Sequence, residues 1–126
     1  MNQFNDKGQM HGYWERHWSN GNLSTKGHYV NNERDGYWEL YHIRTNKLDS
    51  KGNYINSQKN GYWETYYEDG NILTKGHYIN DQRHGYWERY WPNGELNYKG
   101  NYINGERNGY LEGYDTNGKL QKQFYL

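Results

Sequence analysis

Histidine, glutamate, lysine and arginine recur in this chain at fixed intervals, and the intervals limit the chemistry they can do. His28 and His77 fill the same place in the word KGHY, where Asn53 and Asn101 stand in two further copies, and His11 and His84 each precede a glycine. A metal ion needs ligands that converge on one centre. Equivalent histidines a full repeat apart do not converge, so they read as polar strand residues and no metal site is expected. The glutamates of GYWE and the lysines of KGxY read as ion-pair ladders, because a general acid or base needs a pocket to tune it. There is no nucleophile elbow, phosphate loop, metal motif or triad pattern. The expectation is a protein that is not an enzyme and carries no cofactor.

Two other rows read as contacts for a partner. Arg34, Lys59, Arg83 and Arg107 each stand two residues before a repeat glycine, which sets them along one long edge where an acidic partner or a phosphate backbone would meet them. Glu33 and Glu106 lie directly beside two of them and offset part of that charge. Trp18, Tyr67 and Trp91 share a position that is His42 in the second repeat and Asp115 in the fifth. The fold then does not demand a ring there, and surplus rings on an open face resemble the anchors of protein interfaces.

Positioning these rows is the task of a repeat. GYWE begins at Gly12, Gly36, Gly61 and Gly85 and returns as GYLE at Gly109, in steps of 24, 25, 24 and 24 residues. A second word, KGHY or KGNY, keeps the same clock from Lys26, Lys51, Lys75 and Lys99. Such self-similarity marks a repeat architecture. Between the words fall Asn20-Gly21, Asp69-Gly70, Asn93-Gly94 and Asn117-Gly118, dipeptides suited to a two-residue type I′ hairpin turn. The second repeat has RTNK instead, one residue longer, which predicts a longer loop. Polar stretches such as NNERDG and NDQRHG read as looser turns. The chain therefore divides into hairpins over residues 8–31, 32–56, 57–80, 81–104 and 105–126, forming a single repeat domain 1–126.

A two-residue turn at Asn93-Gly94 sets Trp87 opposite Gly100, Glu88 opposite Lys99 and Trp91 opposite Leu96. Each tryptophan then covers the glycine of its own hairpin, a known remedy for bare backbone in a strand, and each Glu pairs with the Lys of its own hairpin. In the last repeat Leu111 falls opposite Phe124, so the large-over-small pair is exchanged for a medium residue beside a large one. Trp14, Trp38, Trp63 and Trp87 form a structural aromatic ladder on one face, interleaved with Tyr29, Tyr54, Tyr78 and Tyr102. Tyr13, Tyr37, Tyr62, Tyr86 and Tyr110 take the other face.

Composition agrees. Only 32% of residues are hydrophobic while 19% are aromatic, too few aliphatic side chains for an ordinary core and too many rings for a disordered chain. Fifteen basic residues balance fifteen acidic ones, which argues against a broad electrostatic grip on nucleic acid or membrane. Cysteine is absent, the first residues carry no charged-then-apolar leader, and no apolar run approaches membrane-spanning length. A cytoplasmic protein with no membrane insertion is expected.

The words GYWExY, xNGxL and KGxYxN resemble the membrane occupation and recognition nexus (MORN) repeat, and more narrowly its bacterial variant, over nearly the whole chain from Gly8 to Lys122. The resemblance implies an all-β, single-layer, elongated and twisted antiparallel meander of about five β-hairpins, with no cofactor and no catalysis. Small bacterial members of the variant group serve as antitoxin or immunity proteins, which implies a toxin, effector or defence protein as partner. The expected function is an inhibitor that occludes a partner protein through its aromatic face and basic edge. Nucleic-acid or nucleotide binding, by base stacking plus the basic row, is the second reading and would show strong salt dependence. A structural scaffold or a cell-wall or carbohydrate-binding repeat is the third. Open terminal strands also allow a homo-oligomer through sheet edges.

Overall fold

A computed structural model describes residues 1–125, with side chains through residue 123. Eleven antiparallel strands lie side by side in sequence order in one open sheet. They are β1 (Gln3–Phe4), β2 (Met10–His17), β3 (Leu23–Val30), β4 (Glu33–Tyr41), β5 (Leu48–Ile55), β6 (Gln58–Tyr66), β7 (Ile72–Ile79), β8 (Gln82–Tyr90), β9 (Leu96–Ile103), β10 (Glu106–Tyr114) and β11 (Leu120–Tyr125). Every connection is a hairpin, and no helix occurs among the described residues.

The two kinds of turn are the reverse of the sequence expectation. Type I′ geometry, with positive φ at both central residues, is found at Asn31-Asn32, Asn56-Ser57, Asn80-Asp81 and Asn104-Gly105, within the stretches expected to be loose. Asn20-Gly21, Asn93-Gly94 and Asn117-Gly118 instead supply the end of a three-residue loop. At Trp91–Glu95 the Gly94 N–H donates to the Trp91 carbonyl (2.9 Å) and the Trp91 N–H to the Glu95 carbonyl (2.8 Å), while only the glycine has positive φ. This is a type I turn closed by a left-handed glycine. Tyr90, not Trp91, therefore faces Leu96. Asn97 then bulges out, and its extra residue restores the expected register at Arg89↔Tyr98, so Trp87↔Gly100 and Glu88↔Lys99 stand as expected. In the second repeat the longer loop closes through the His42 N–H on the Lys47 carbonyl.

The glycines of GYWE, expected to end a turn, are inside strands. Across the β7–β8 seam Gly76↔Trp87 is followed by His77↔His84, so Gly85 and Tyr86 are an insertion facing β9 alone. Gly85 has φ of 78°, which a β-carbon would strain.

The ring pattern follows the alternation of the strands. Trp38, Trp63 and Trp87 are almost wholly buried, with Tyr29, Tyr54, Tyr102 and Leu111 beside them. Phe4, Trp14, Tyr29, Trp38, Tyr54, Trp63, Tyr78, Trp87 and Tyr102 make an unbroken series of edge-to-face contacts, 4.9–6.3 Å between centroids. Perpendicular rings let the positive edge of one meet the negative face of the next, and in a single layer this rail takes the place of an aliphatic core.

Each tryptophan roofs the glycine of the preceding hairpin rather than its own: Trp38 lies over Gly27, Trp63 over Gly52 and Trp87 over Gly76. Leu111 takes the same role over Gly100. Each indole N–H donates to the preceding hairpin too, Trp63 to the Asn53 carbonyl at 3.0 Å and Trp87 to the His77 carbonyl at 3.0 Å. The lysines behave alike. The ammonium groups of Lys26, Lys51 and Lys75 pair with Glu39, Glu64 and Glu88 across the seam to the next repeat, and not with the glutamates of their own hairpins. Roofs and ion pairs thus join repeats to one another, while each hairpin is closed by its turn, its strand ladder and ring contacts such as Trp38 with Tyr54. Leu111 is in register with Phe124, but the packing expected between them falls outside the described side chains.

Candidate functional site

Strand alternation divides the candidate residues between two faces with different chemistry. The rail face carries the tryptophans and the basic row. Arg34, Lys59, Arg83 and Arg107 lie on β4, β6, β8 and β10, near the type I′ turns, and their backbones are fixed by those turns. The Arg34 N–H donates to Ser57 Oγ (3.0 Å), and the Ser57 N–H to the Arg34 carbonyl (2.9 Å). Lys59 and Asp81 repeat the exchange. The cationic heads do not extend past the margin but curl inward over the rings. Arg34 stands 4.6 Å from the Trp38 ring centre and 5.2 Å from that of Tyr54. Lys59 stands over Trp63 and Tyr78, and Arg83 over Trp87 and Tyr102. Where the tryptophan is replaced by Leu111, Arg107 lies over Tyr98 instead, at 5.4 Å.

Tyr98 occupies the place of Thr25, Ser50 and Thr74. Its hydroxyl is 2.7 Å from that of Tyr102, and Arg83 Nη1 is 3.4 Å from both. Burial together with the bond to Tyr102 pushes the Tyr98 phenol up to about 12. Burial would also raise Tyr102, but bonds from Tyr98, Arg107 and Arg83 outweigh it and bring that phenol below its ordinary value.

Trp18, Tyr67 and Trp91 lie along the opposite margin, at the entrance to the Asn-Gly loops. Trp18 is 38% exposed. Tyr67 and Trp91 are half-buried, and each spends its polar tip on the next repeat: the Tyr67 hydroxyl on the Tyr90 carbonyl (2.7 Å), the Trp91 Nε1–H on the Tyr114 carbonyl (3.0 Å). His42 Nε2 meets the Tyr66 carbonyl in the same way. The position does have a structural use, which a histidine, a tyrosine or a tryptophan can fill.

The second face is more open. Tyr37, Tyr62 and Tyr86 are 44–50% exposed. Glu39 sits between the hydroxyls of Tyr37 (2.9 Å) and Tyr41 (2.8 Å) and 3.2 Å from Lys26 Nζ. Glu88 has Tyr86, Tyr90 and Lys75 in the same roles. Burial alone would raise both carboxyls, yet these donors outweigh it and lower them. The same contacts, with burial, push Tyr37 and Tyr86 up to about 12. Glu39 and Glu88 are thus neutralised in place by Lys26 and Lys75.

Its apolar content exceeds what the tyrosines supply. Val30, Ile55, Ile79 and Ile103 are 42–54% exposed, two residues along the strand from His28, Asn53, His77 and Asn101 and hence on the same face. Shallow clefts of about 320 and 280 Å³ open between Tyr13 and Tyr37 and between Tyr62 and Tyr86, floored by Gly27 with His28 and by Gly76 with His77. The aliphatic row was overlooked in the sequence reading, although the words KGHYV, KGNYI and KGHYI announce it. A β-branched residue at one fixed place, in a chain so poor in aliphatics, is the signal.

Among the described residues no group of three or more His, Asp or Glu side chains is arranged to hold a metal ion. No helix is long and apolar enough to cross a membrane. The sequence profile described as the MORN repeat variant matches residues 10–31, 59–80, 83–104 and 107–125, more than half of the chain. The segment between the first two matches holds the longer loop at Arg44–Lys47. No curated protein matches the chain significantly.

Proposed function

The chain belongs to the MORN repeat variant family, and from that premise we propose that it is a non-enzymatic protein-binding module that covers a partner with its tyrosine and aliphatic face. Repeats of this family are in general binding modules for proteins and membranes. The observation that carries the reading is the continuous exposure of Tyr37, Tyr62, Tyr86, Ile55, Ile79 and Ile103 on one face. Monomeric proteins rarely leave an ordered apolar stripe of this kind open unless something docks on it. Tyrosine is well suited to such docking, since its ring is wide, stiff and wet at one end. The lysine–glutamate pairs beneath the rings need no partner to neutralise them.

An inhibitor acting by occlusion, of the antitoxin or immunity kind, fits a preorganised sheet that acquires little new order on binding. In this role the partner is a toxin, effector or defence protein. Trp18 adds an apolar anchor at the loop margin, with Tyr67 and Trp91 two and three repeats further along it.

Site-specific photo-crosslinking in the native cell tests the reading. A crosslinking residue at Tyr62 or Ile79 is expected to trap the same single protein, whereas one at Arg89 on the rail face is not. Purified together, that protein should lose its activity at one equivalent of the chain. Replacing Tyr86 by Ala should weaken the complex at least tenfold, about 1.4 kcal/mol, while the variant still melts cooperatively. Identical adducts from both faces, or none from either, would defeat the proposal.

A further inference from the structure

The rail face holds a second binding surface, with a different ligand chemistry. Among the described residues the ion pairs are Lys26–Glu39, Lys51–Glu64, Lys75–Glu88 and the loop pair His42–Asp49. None involves Arg34, Lys59, Arg83 or Arg107. Glu33 and Glu106, adjacent in sequence, do not neutralise the row: they are in register with Val30 and Ile103, so they belong to the tyrosine face. What the four cations have instead are ring faces and phenolic oxygens, such as Tyr54 Oη at 3.1 Å from Arg34 Nη1. These orient a cation but cancel none of its charge. One face of a neutral protein therefore presents a line of uncompensated positive charge.

The spacing of that line is set by the sheet. The four residues sit on alternate strands, and two strands advance about 9.4–9.8 Å. A polyproline II helix has three residues per turn and a rise of about 3.1 Å per residue, so every third side chain falls on one edge about 9.3 Å apart. An extended acidic peptide with Asp or Glu at every third residue meets the row cation for cation. Nucleic acid would also bring negative charge, but a single strand is held by stacking bases on open rings as well as by phosphate contacts. Here Trp38, Trp63 and Trp87 are at most 2% exposed, and their faces are already occupied by the cations.

We propose that the rail face binds an extended acidic peptide segment in polyproline II conformation, with carboxylates at every third residue on Arg34, Lys59, Arg83 and Arg107. This surface is independent of the tyrosine and aliphatic face, and either can fail without the other. Fluorescence anisotropy on the full chain tests it with three labelled probes: a (Glu-Pro-Pro) pentamer, a peptide of the same composition with its glutamates contiguous, and an oligothymidylate of equal charge.

The expected result is saturable binding of the periodic peptide, at least tenfold tighter than either other probe and falling steeply with salt. Arg83→Gln and Lys59→Gln should each weaken it about fivefold, and Arg83→Lys should restore it to within about twofold of the parent. Tyr62→Ala should leave it unchanged. If Arg83→Gln fails to melt cooperatively, Arg107→Gln, whose side chain is exposed, gives the same reading. Equal affinity for the two peptides, tighter binding of the oligonucleotide, or indifference to Lys59→Gln would each overturn the proposal.

Discussion

Gly52 and Trp63 compete for one volume: a β-carbon at Gly52 would stand within 2.5 Å of Trp63 Cγ. The indole is 1% exposed and anchored by its N–H to the Asn53 carbonyl, with Tyr54 and Tyr78 against it on either side, so it cannot step aside. Gly52→Ala should therefore cost about 3 kcal/mol or more, the upper end of overpacking penalties. Gly100→Ala meets only the side chain of Leu111, at 3.0 Å, and should cost less than half as much. Urea midpoints of the two variants check the order. Equal losses would mean that strand glycine is needed for backbone freedom rather than for the roof.

Much of this was legible in the sequence. The period, the all-β class, the separation of tryptophans from GYWE tyrosines onto opposite faces, and the pairing of Trp87 with Gly100 all follow from word spacing and strand alternation. The turn types did not. Asn-Gly fits both a two-residue I′ turn and the end of a three-residue loop, and Pro92, which has φ fixed near the type I value, favours the second. The direction in which a ring leans was not legible either. Gly52 is in register with both Trp38 and Trp63, and only packing decides which indole covers it. The basic row was legible along its margin, but the inward turn of its cationic heads was not, because a cation–ring contact depends on the bulge at Gly36, Gly61 and Gly85, and that bulge has no signature apart from the glycine itself.

Lys26 is likewise in register with two glutamates, Glu15 in its own hairpin and Glu39 across the seam. The ammonium pairs with Glu39 at 3.2 Å, and the carboxylate's two tyrosine donors hold it in place. A double-mutant cycle on Lys26 and Glu39 should give a coupling of about 0.5 kcal/mol, typical of a partly exposed pair. The cycle with Glu15 should give a value near zero. A larger coupling to Glu15 would place the pair within the hairpin and remove one of the bonds that join repeats.

Titration separates the same clusters at both ends of the pH scale. Glu39 and Glu88 have lowered folded values because the donors from Tyr41, Tyr37, Lys26 and their counterparts outweigh burial. Their contribution is present above the ordinary glutamate range and is lost as pH falls through the lowered folded value. Tyr37, Tyr66 and Tyr86 are raised to about 12, first by burial and then by the carboxylates beside them. Their contribution is complete below the unfolded tyrosine value near 10 and disappears as pH climbs from there to about 12. The urea midpoint should thus be level through neutrality, fall below about pH 4 and fall again above about pH 10. Tyr37→Phe removes a donor to Glu39 and a raised phenol together, so it should weaken both falls. A variant that altered the acid limb alone would show that the hydroxyl supports the carboxylate without being held neutral by it.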